Sequence, residues 1–229
     1  SSLLFFFLFQ LKASFAEDFI LDPGHSPAHP GALSCSGRYE HLYNEDLATT
    51  VLRYLKERGL SVTVTRSAKE DISLISRAQM AKGKKLFLSL HHDSAQKKYL
   101  SIRNAFPCTD TIRGYSLFVS AKNAYFESSL LYARILGEIL TTMGFRPSTH
   151  HGEPIAGENR PLLDARLGIY QFDDLVVLKK ADSPAILLEA AVIVNPDDDV
   201  LSQNKTFQLR IAEAIAQTFR FVTVQSPYN

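Results

Sequence analysis

Leu86-Phe87-Leu88-Ser89-Leu90-His91-His92-Asp93 joins a near-continuous apolar run to a polar end rich in metal-binding residue types. A run this short and this apolar, without strict alternation, reads as a strand covered on both faces. Two other stretches repeat the pattern: Phe19-Ile20-Leu21-Asp22-Pro23-Gly24-His25 and Ala185-Ile186-Leu187-Leu188-Glu189. Helix-like segments separate them. Asn44 is a plausible N-cap with Glu45 and Asp46 in the first turn, and Leu47, Val51, Leu52 and Leu55 recur at helical spacing up to Gly59. Residues 62–65 form a β-branched strand, and Leu74, Ile75, Ala78 and Ala81 mark a second helix stopped at Gly83. Residues 115–119 read as a strand, 125–143 as a long amphipathic helix and 200–222 as a final one. Strands alternating with helices predict an α/β fold: a single domain with a mainly parallel twisted sheet flanked by helices on both faces. Residues 26–43 read as a loop, and 145–180 show no clean period before Leu175.

Composition supports one ordinary globular domain. The chain has 229 residues, 25 Lys and Arg against 24 Asp and Glu, 45% hydrophobic and 21% charged residues. Disorder, collagen-like repeats and a disulfide-dense miniprotein are excluded. A net charge of +1 argues against nucleic acid as a partner, because phosphate binding leaves a basic footprint.

The N-terminus is a different population. Leu3-Leu4-Phe5-Phe6-Phe7-Leu8-Phe9 precedes Ala13-Ser14-Phe15-Ala16, with small residues at the −3 and −1 positions of a cut after Ala16. We read 1–16 as a signal peptide, incomplete at its start, with a buried first strand as the alternative. Cleavage leaves 229 − 16 = 213 residues and removes Lys12, so 24 basic residues face 24 acidic ones. The apolar run is too short to span a bilayer. The expectation is an exported protein of the periplasm or cell envelope, without a stable membrane anchor once the signal is removed, whose catalytic domain is 17–229. Export permits Cys35 and Cys108 to pair, and no Cys-x-x-Cys spacing is present.

The chemistry gathers at strand ends. His25, His91 and Glu189 each follow an apolar strand, and ligands of a parallel sheet bind at the carboxyl ends of its strands. Glu40, in the loop after the first strand, can fold back over the same edge. Two imidazoles and a carboxylate suit Zn²⁺, and three protein ligands leave a fourth position for water, as in a catalytic site. A free carboxylate beside it can move a proton, and Glu189, on an apolar strand in a partly dry setting, is the candidate.

The ordered set Asp22-Pro23-Gly24-His25, Gly37-Arg38-Tyr39-Glu40, Thr65-Arg66, Leu88-Ser89-Leu90-His91 and Pro184-Ala185-Ile186-Leu187-Leu188-Glu189 with Asn195 resembles the zinc-dependent N-acetylmuramoyl-L-alanine amidases of the type-3 family. Asn44-Glu45-Asp46-Leu47-Ala48 and Arg77-Ala78 match in order too, so the resemblance runs from about Phe19 to Phe221. It implies one Zn²⁺ per chain held by His25, Glu40 and His91, with Glu189 as the catalytic carboxylate. It also implies cleavage of the amide between N-acetylmuramic acid and the L-alanine of the peptidoglycan stem peptide, in cell-wall remodelling and daughter-cell separation. The chain departs from the family with Ser26 after the first His, Asp93 two residues after the second, and His92 beside it. Neighbours on a strand face opposite ways, so one His reaches the metal, and motif register selects His91. His29 and His41 read as loop residues.

Some members of that family carry an inserted helix that blocks the zinc until an activator protein moves it. Residues 146–180 are the candidate lid or regulatory segment, with Glu158 capping a short helix that reaches Arg166, and Glu153 or Glu158 approaching the metal. Two other readings stand beside the enzyme. One is a catalytically silent peptidoglycan-binding or hydrolase-activating module. The other is an added penicillin-sensitive serine carboxypeptidase activity through Ser94-Ala95-Gln96-Lys97, with Ser94 as nucleophile and Lys97 one helical turn away as base. A second Ser-x-x-Lys occurs at Ser202 and Lys205.

Overall fold

The computed structural model describes residues 18–225, so the expected signal peptide lies outside the described residues. In chain order the elements are β1 (Phe19–Pro23), α1 (Glu40–Lys56), β2 (Val62–Val64), α2 (Leu74–Gln79), β3 (Leu86–Asp93), β4 (Ser101–Arg103), β5 (Phe106–Cys108), β6 (Ser116–Val119), α3 (Phe126–Thr142), β7 (Leu162–Asp164), β8 (Ile169–Gln171), α4 (Val176–Lys180), β9 (Ala185–Val192), α5 (Pro196–Ser202) and α6 (Lys205–Gln225). Seven strands form one sheet in the order β2-β1-β3-β9-β6-β8-β7, and β4 and β5 form a separate hairpin. β2, β1, β3 and β9 run parallel. β6 is antiparallel to β9 and parallel to β8, and β7 returns antiparallel.

The continuous apolar runs are explained by cover on both faces. Alternate residues of β1 and β3 (Phe19, Leu21, Leu86, Leu88, Leu90) pack beneath Leu47 and Val51 of α1, Leu136 and Leu140 of α3, and Ile211 and Ile215 of α6. The residues between them, Ile20 and Phe87, join Leu187, Leu178 of α4 and Ala81 just past α2 on the other face. This two-sided arrangement is the predicted α/β architecture. Among the described residues no helix is long and apolar enough to cross a membrane.

Several boundaries move, each with functional weight. α1 begins at Glu40, four residues before the expected cap (44 − 40), so Glu40 and His41 are helical rather than loop residues. Asn44 is buried inside that helix instead of capping it. β3 and β9 do not stop at His91 and Glu189: their backbones keep pairing, with His91 opposite Glu189, until a register shift before Asp93. The final helix is two. Asn195 caps α5, with Pro196 in the first turn, and the Asn204 side chain accepts from the N–H groups of Thr206 and Phe207 at the start of α6. The expected helix from Glu158 to Arg166 is absent. Gly157 at φ +85 precedes Pro161, and Leu162–Asp164 is extended against β8. Cys35 and Cys108 form a disulfide that ties the loop after β1 to β5.

Candidate active site

His25, Glu40 and His91 converge from three elements. His25 Nε2 lies 3.1 Å from Glu40 Oε2, and His91 Nδ1 lies 3.0 Å from Glu40 Oε1. His25 takes φ 61, unusual for a residue with a side chain. Two buried arginines hold that turn. Arg77 donates from Nη2 to the His25 carbonyl at 2.9 Å and from Nη1 to that of Pro23 at 3.0 Å. Arg66 donates from Nε to Pro23 and from Nη2 to Gly24, both at 3.2 Å. Their charges are met by Asp22 and Glu45.

Glu40 is fixed just as closely. As the first residue of α1 it meets the positive end of the helix dipole. Ala32 N–H donates to its Oε2 at 3.0 Å, and Asn44 Nδ2 donates to its Oε1 at 3.2 Å. Burial opposes its ionisation, but the contacts with His25 and His91 hold its carboxyl well below the usual range. Glycine makes the approach possible: a Cβ on Gly24 would lie 2.2 Å from His91 Nε2, and one on Gly31 2.4 Å from Glu40 Oε2. The strand alternation separates the adjacent histidines. His92 is buried, with Nδ1 2.8 Å from Asn44 Oδ1, and burial lowers its pKa to about 4. It is a neutral packing residue.

Glu189 stands beside His91 across the strand pair. Its half-buried side chain carries an Oε2 that is sealed from solvent and has no hydrogen-bond partner among the described residues. Burial first, then the charges of Asp93 and Glu40, push its carboxyl well above the ordinary value. Glu189, His25 and His91 line a cleft of about 860 Å³, with Phe118 and Phe172 among its walls. That volume suits a sizeable organic ligand.

The other predicted residues fall elsewhere. Glu153 pairs with Lys98 Nζ at 2.6 Å and accepts from Tyr99 Oη, away from the cleft lining. Glu158 does line the cleft, 3.5 Å from His151 Nδ1, but neither carboxylate joins the His25, Glu40 and His91 group. Ser94 and Lys97 are not one α-helical turn apart. Ser94 follows β3, exposed Lys97 opens a 3₁₀ turn, and among the described residues no hydrogen bond joins them. Ser202 and Lys205 belong to different helices: Ser202 Oγ donates to the Asp198 carbonyl and Lys205 Nζ to Thr50 Oγ1. The serine-nucleophile geometry is therefore missing at both strings. Exposed His29 lies 3.7 Å from Asp71. The bracing by Asn44, Arg66 and Arg77 escapes a reading of the sequence. The spacing of Glu40 and Asn44, one helical turn, was the available signal for the first.

A family model described as N-acetylmuramoyl-L-alanine amidase matches residues 19–220. The chain is 28% identical over 221 residues to N-acetylmuramoyl-L-alanine amidase AmiA of Escherichia coli (strain K12), covering 86% of this chain and 73% of that protein. It is 26% identical over 220 residues to N-acetylmuramoyl-L-alanine amidase AmiC of Neisseria meningitidis serogroup B, covering 86% of this chain and 50% of that protein. Among solved structures, the amidase Ami1 of Mycobacterium smegmatis superposes with TM-score 0.70 at 22% identity, over 90% of this chain and 97% of that one. The CwlD amidase of Clostridioides difficile, solved in complex with the GerS lipoprotein, gives 0.68 at 18% identity, over 92% and 100%. At these identities the structures attest the fold.

Proposed function

The chain belongs to the N-acetylmuramoyl-L-alanine amidase family, and on that premise we propose that it hydrolyses the amide joining N-acetylmuramic acid to the L-alanine of the stem peptide, with Zn²⁺ held by His25, Glu40 and His91 and with Glu189 as general base. The observation that carries the proposal is the unpartnered Glu189 Oε2 beside a preassembled group of two imidazoles and one ionised carboxylate.

The donor set fits a zinc ion. The two imidazoles face the two oxygens of Glu40 at 3.1 and 3.0 Å, and one donor atom from each of the three residues lies within 4.8 Å of the others, a reach that zinc bonds of about 2.0–2.2 Å can close. Asn44 orients the carboxylate, and Arg77 and Arg66 hold the turn that aims His25. When bound, the ion supplies Lewis-acid polarisation of the scissile carbonyl and of a water. The Glu189 carboxylate takes the proton of the attacking water and returns it to the leaving nitrogen, and its burial, which raises its proton affinity, favours the uptake.

We place this activity outside the cytoplasm, in cell-wall remodelling and daughter-cell separation, where the Cys35–Cys108 pair suits an oxidising compartment. Residues 146–180 are the segment an activator protein would act on, since His151, Glu158, Arg160 and Phe172 form one wall of the cleft.

The test is digestion of purified peptidoglycan with zinc-loaded protein, read by mass spectrometry. Stem peptides with a free L-alanine amine are expected from the wild type and not from Glu189→Ala. Glycan fragments whose lactyl–peptide bonds stay intact would overturn the proposal.

A further inference from the structure

A second histidine pair, of which His151 lines the same cleft, has no role in this scheme. His150 and His151 lie on a single 3₁₀ turn (His150–Gly152). Both direct Nε2 at one oxygen: Asp93 Oδ2 is 2.6 Å from His151 Nε2 and 3.4 Å from His150 Nε2. Asp93 is 8% exposed and His150 3%, so the convergence is internal.

The hydrogen bonding is incomplete in an informative way. His150 Nδ1 lies 2.8 Å from Ser148 Oγ, and Glu158 Oε2 lies 3.5 Å from His151 Nδ1. Each ring thus has an outer partner on Nδ1, the arrangement that fixes an imidazole with Nε2 toward a metal. Yet buried His150 Nε2 has no hydrogen-bond partner, despite its nearness to Asp93. The two rings are 3.9 Å apart between centroids. Three donor atoms thus meet at one point, and one of them is left buried without a hydrogen-bond partner. A bound divalent cation satisfies all three donors while both imidazoles stay neutral.

We propose that Asp93 Oδ2, His150 Nε2 and His151 Nε2 form a second divalent-cation site, separate from His25, Glu40 and His91. Two imidazole nitrogens and one carboxylate oxygen select a zinc-class ion over calcium or magnesium. The spacing is nearly right. For donors about 3.3 Å apart, the His150–Asp93 distance already matches, and His151 has to retreat by about 0.7 Å. The ion ties the 146–180 segment to β3, on the wall that His151 shares with Glu189. Its function is to lock that wall in place.

The experiment is metal stoichiometry on untagged protein, by native mass spectrometry with added Zn²⁺. Wild type is expected to hold two ions. His150→Gln/His151→Gln is expected to keep one, and His25→Asn/His91→Gln is expected to keep the other. Co²⁺ added to the latter variant should give visible absorption that is lost on further Asp93→Asn. One ion in wild type that His150→Gln/His151→Gln keeps and His25→Asn/His91→Gln loses overturns the second site. No ion in His25→Asn/His91→Gln, with native circular dichroism, overturns it while leaving the first site standing. One ion in that variant with none in His150→Gln/His151→Gln, again natively folded, would instead remove the first site.

Discussion

Two groups of one carboxylate and two imidazoles reach the same cleft, the first through His25 and His91 and the second through His151, and they are built in opposite ways. The first draws His25, Glu40 and His91 from a strand end, a helix start and a mid-strand position, and two buried arginines with Asn44 hold them. The second takes His150 and His151 from consecutive positions on one short turn, anchored to the core through Asp93 and Ser148. Long-range ligands on rigid elements are preorganised, because moving one requires breaking the arginine clamps on the turn at His25, the start of α1 or the β3–β9 pairing. Ligands on a turn can move together. The lesson is that identical donor chemistry can serve a fixed reaction centre in one place and a movable wall in the other.

That comparison can be broken at several levels. The largest effect belongs to the carboxylate between the two groups. Glu189→Gln should lower amide hydrolysis by about 10²–10⁴-fold while leaving metal content unchanged, measured by stem-peptide release and elemental analysis. Loss of metal together with activity would make Glu189 a ligand rather than a base. Next, Asn44→Ala should weaken zinc binding at the first group by about 10–100-fold, read by competition with a chelator. An unchanged affinity would mean the braced arrangement contributes nothing.

Backbone tolerance should separate the regions next. Gly24→Ala puts a methyl group 2.2 Å from the His91 ring and should destabilise the protein by about 1–3 kcal/mol in denaturant melts. Gly152→Ala, where the added carbon meets Leu162 at an ordinary 3.5 Å, should stay within about 0.5 kcal/mol. Equal costs would erase the contrast between rigid and movable groups.

Two smaller effects follow. The elevated pKa of Glu189 means the folded, metal-free protein keeps a proton that the unfolded chain releases near the ordinary pKa of about 4.3. Stability must then fall as pH rises from that value toward the folded one, and Glu189→Gln should abolish this loss. Paired thermal melts across that window, with the variant gaining over wild type as pH rises, would show it. A wild type and a variant with parallel profiles would place Glu189 in water. Finally, Glu158→Ala, which frees His151 Nδ1, should modestly raise basal hydrolysis if residues 146–180 restrain access. Rates unchanged in Glu153→Ala, Glu158→Ala and a loop deletion would remove that segment from regulation.

Much of this was legible in order. Apolar runs without alternation announced strands covered on both sides, and His25, His91 and Glu189 lay where such strands meet ligands. Glu40 was recognisable as a ligand candidate, but not as a helix residue, because no capping side chain precedes it at Tyr39. His91 and Glu189 looked like strand ends because periodicity sees the end of apolarity. The strands run on, since backbone pairing is indifferent to the side chains' polarity. Residues 146–180 resisted reading because β7 and β8 are only three residues each and gain their stability from the sheet edge rather than from their own pattern.

The amino-acid order by itself made the layered α/β architecture legible, through burial pattern, and marked His25, His91 and Glu189 as polar residues at the ends of apolar runs. Glu40 as a ligand and the choice of His91 over its neighbour rested on the ordered motifs shared with the type-3 amidases, with strand alternation saying only that one of the two histidines faces the site. Only the tertiary structure decided which groups hold these residues. The arginine clamps on Pro23, Gly24 and His25, the close glycine at His91, the disulfide and the meeting of Asp93 with His150 and His151 all join residues remote in sequence. Such contacts depend on how the sheet registers and where a connection crosses its edge, and no local spacing in the chain encodes either.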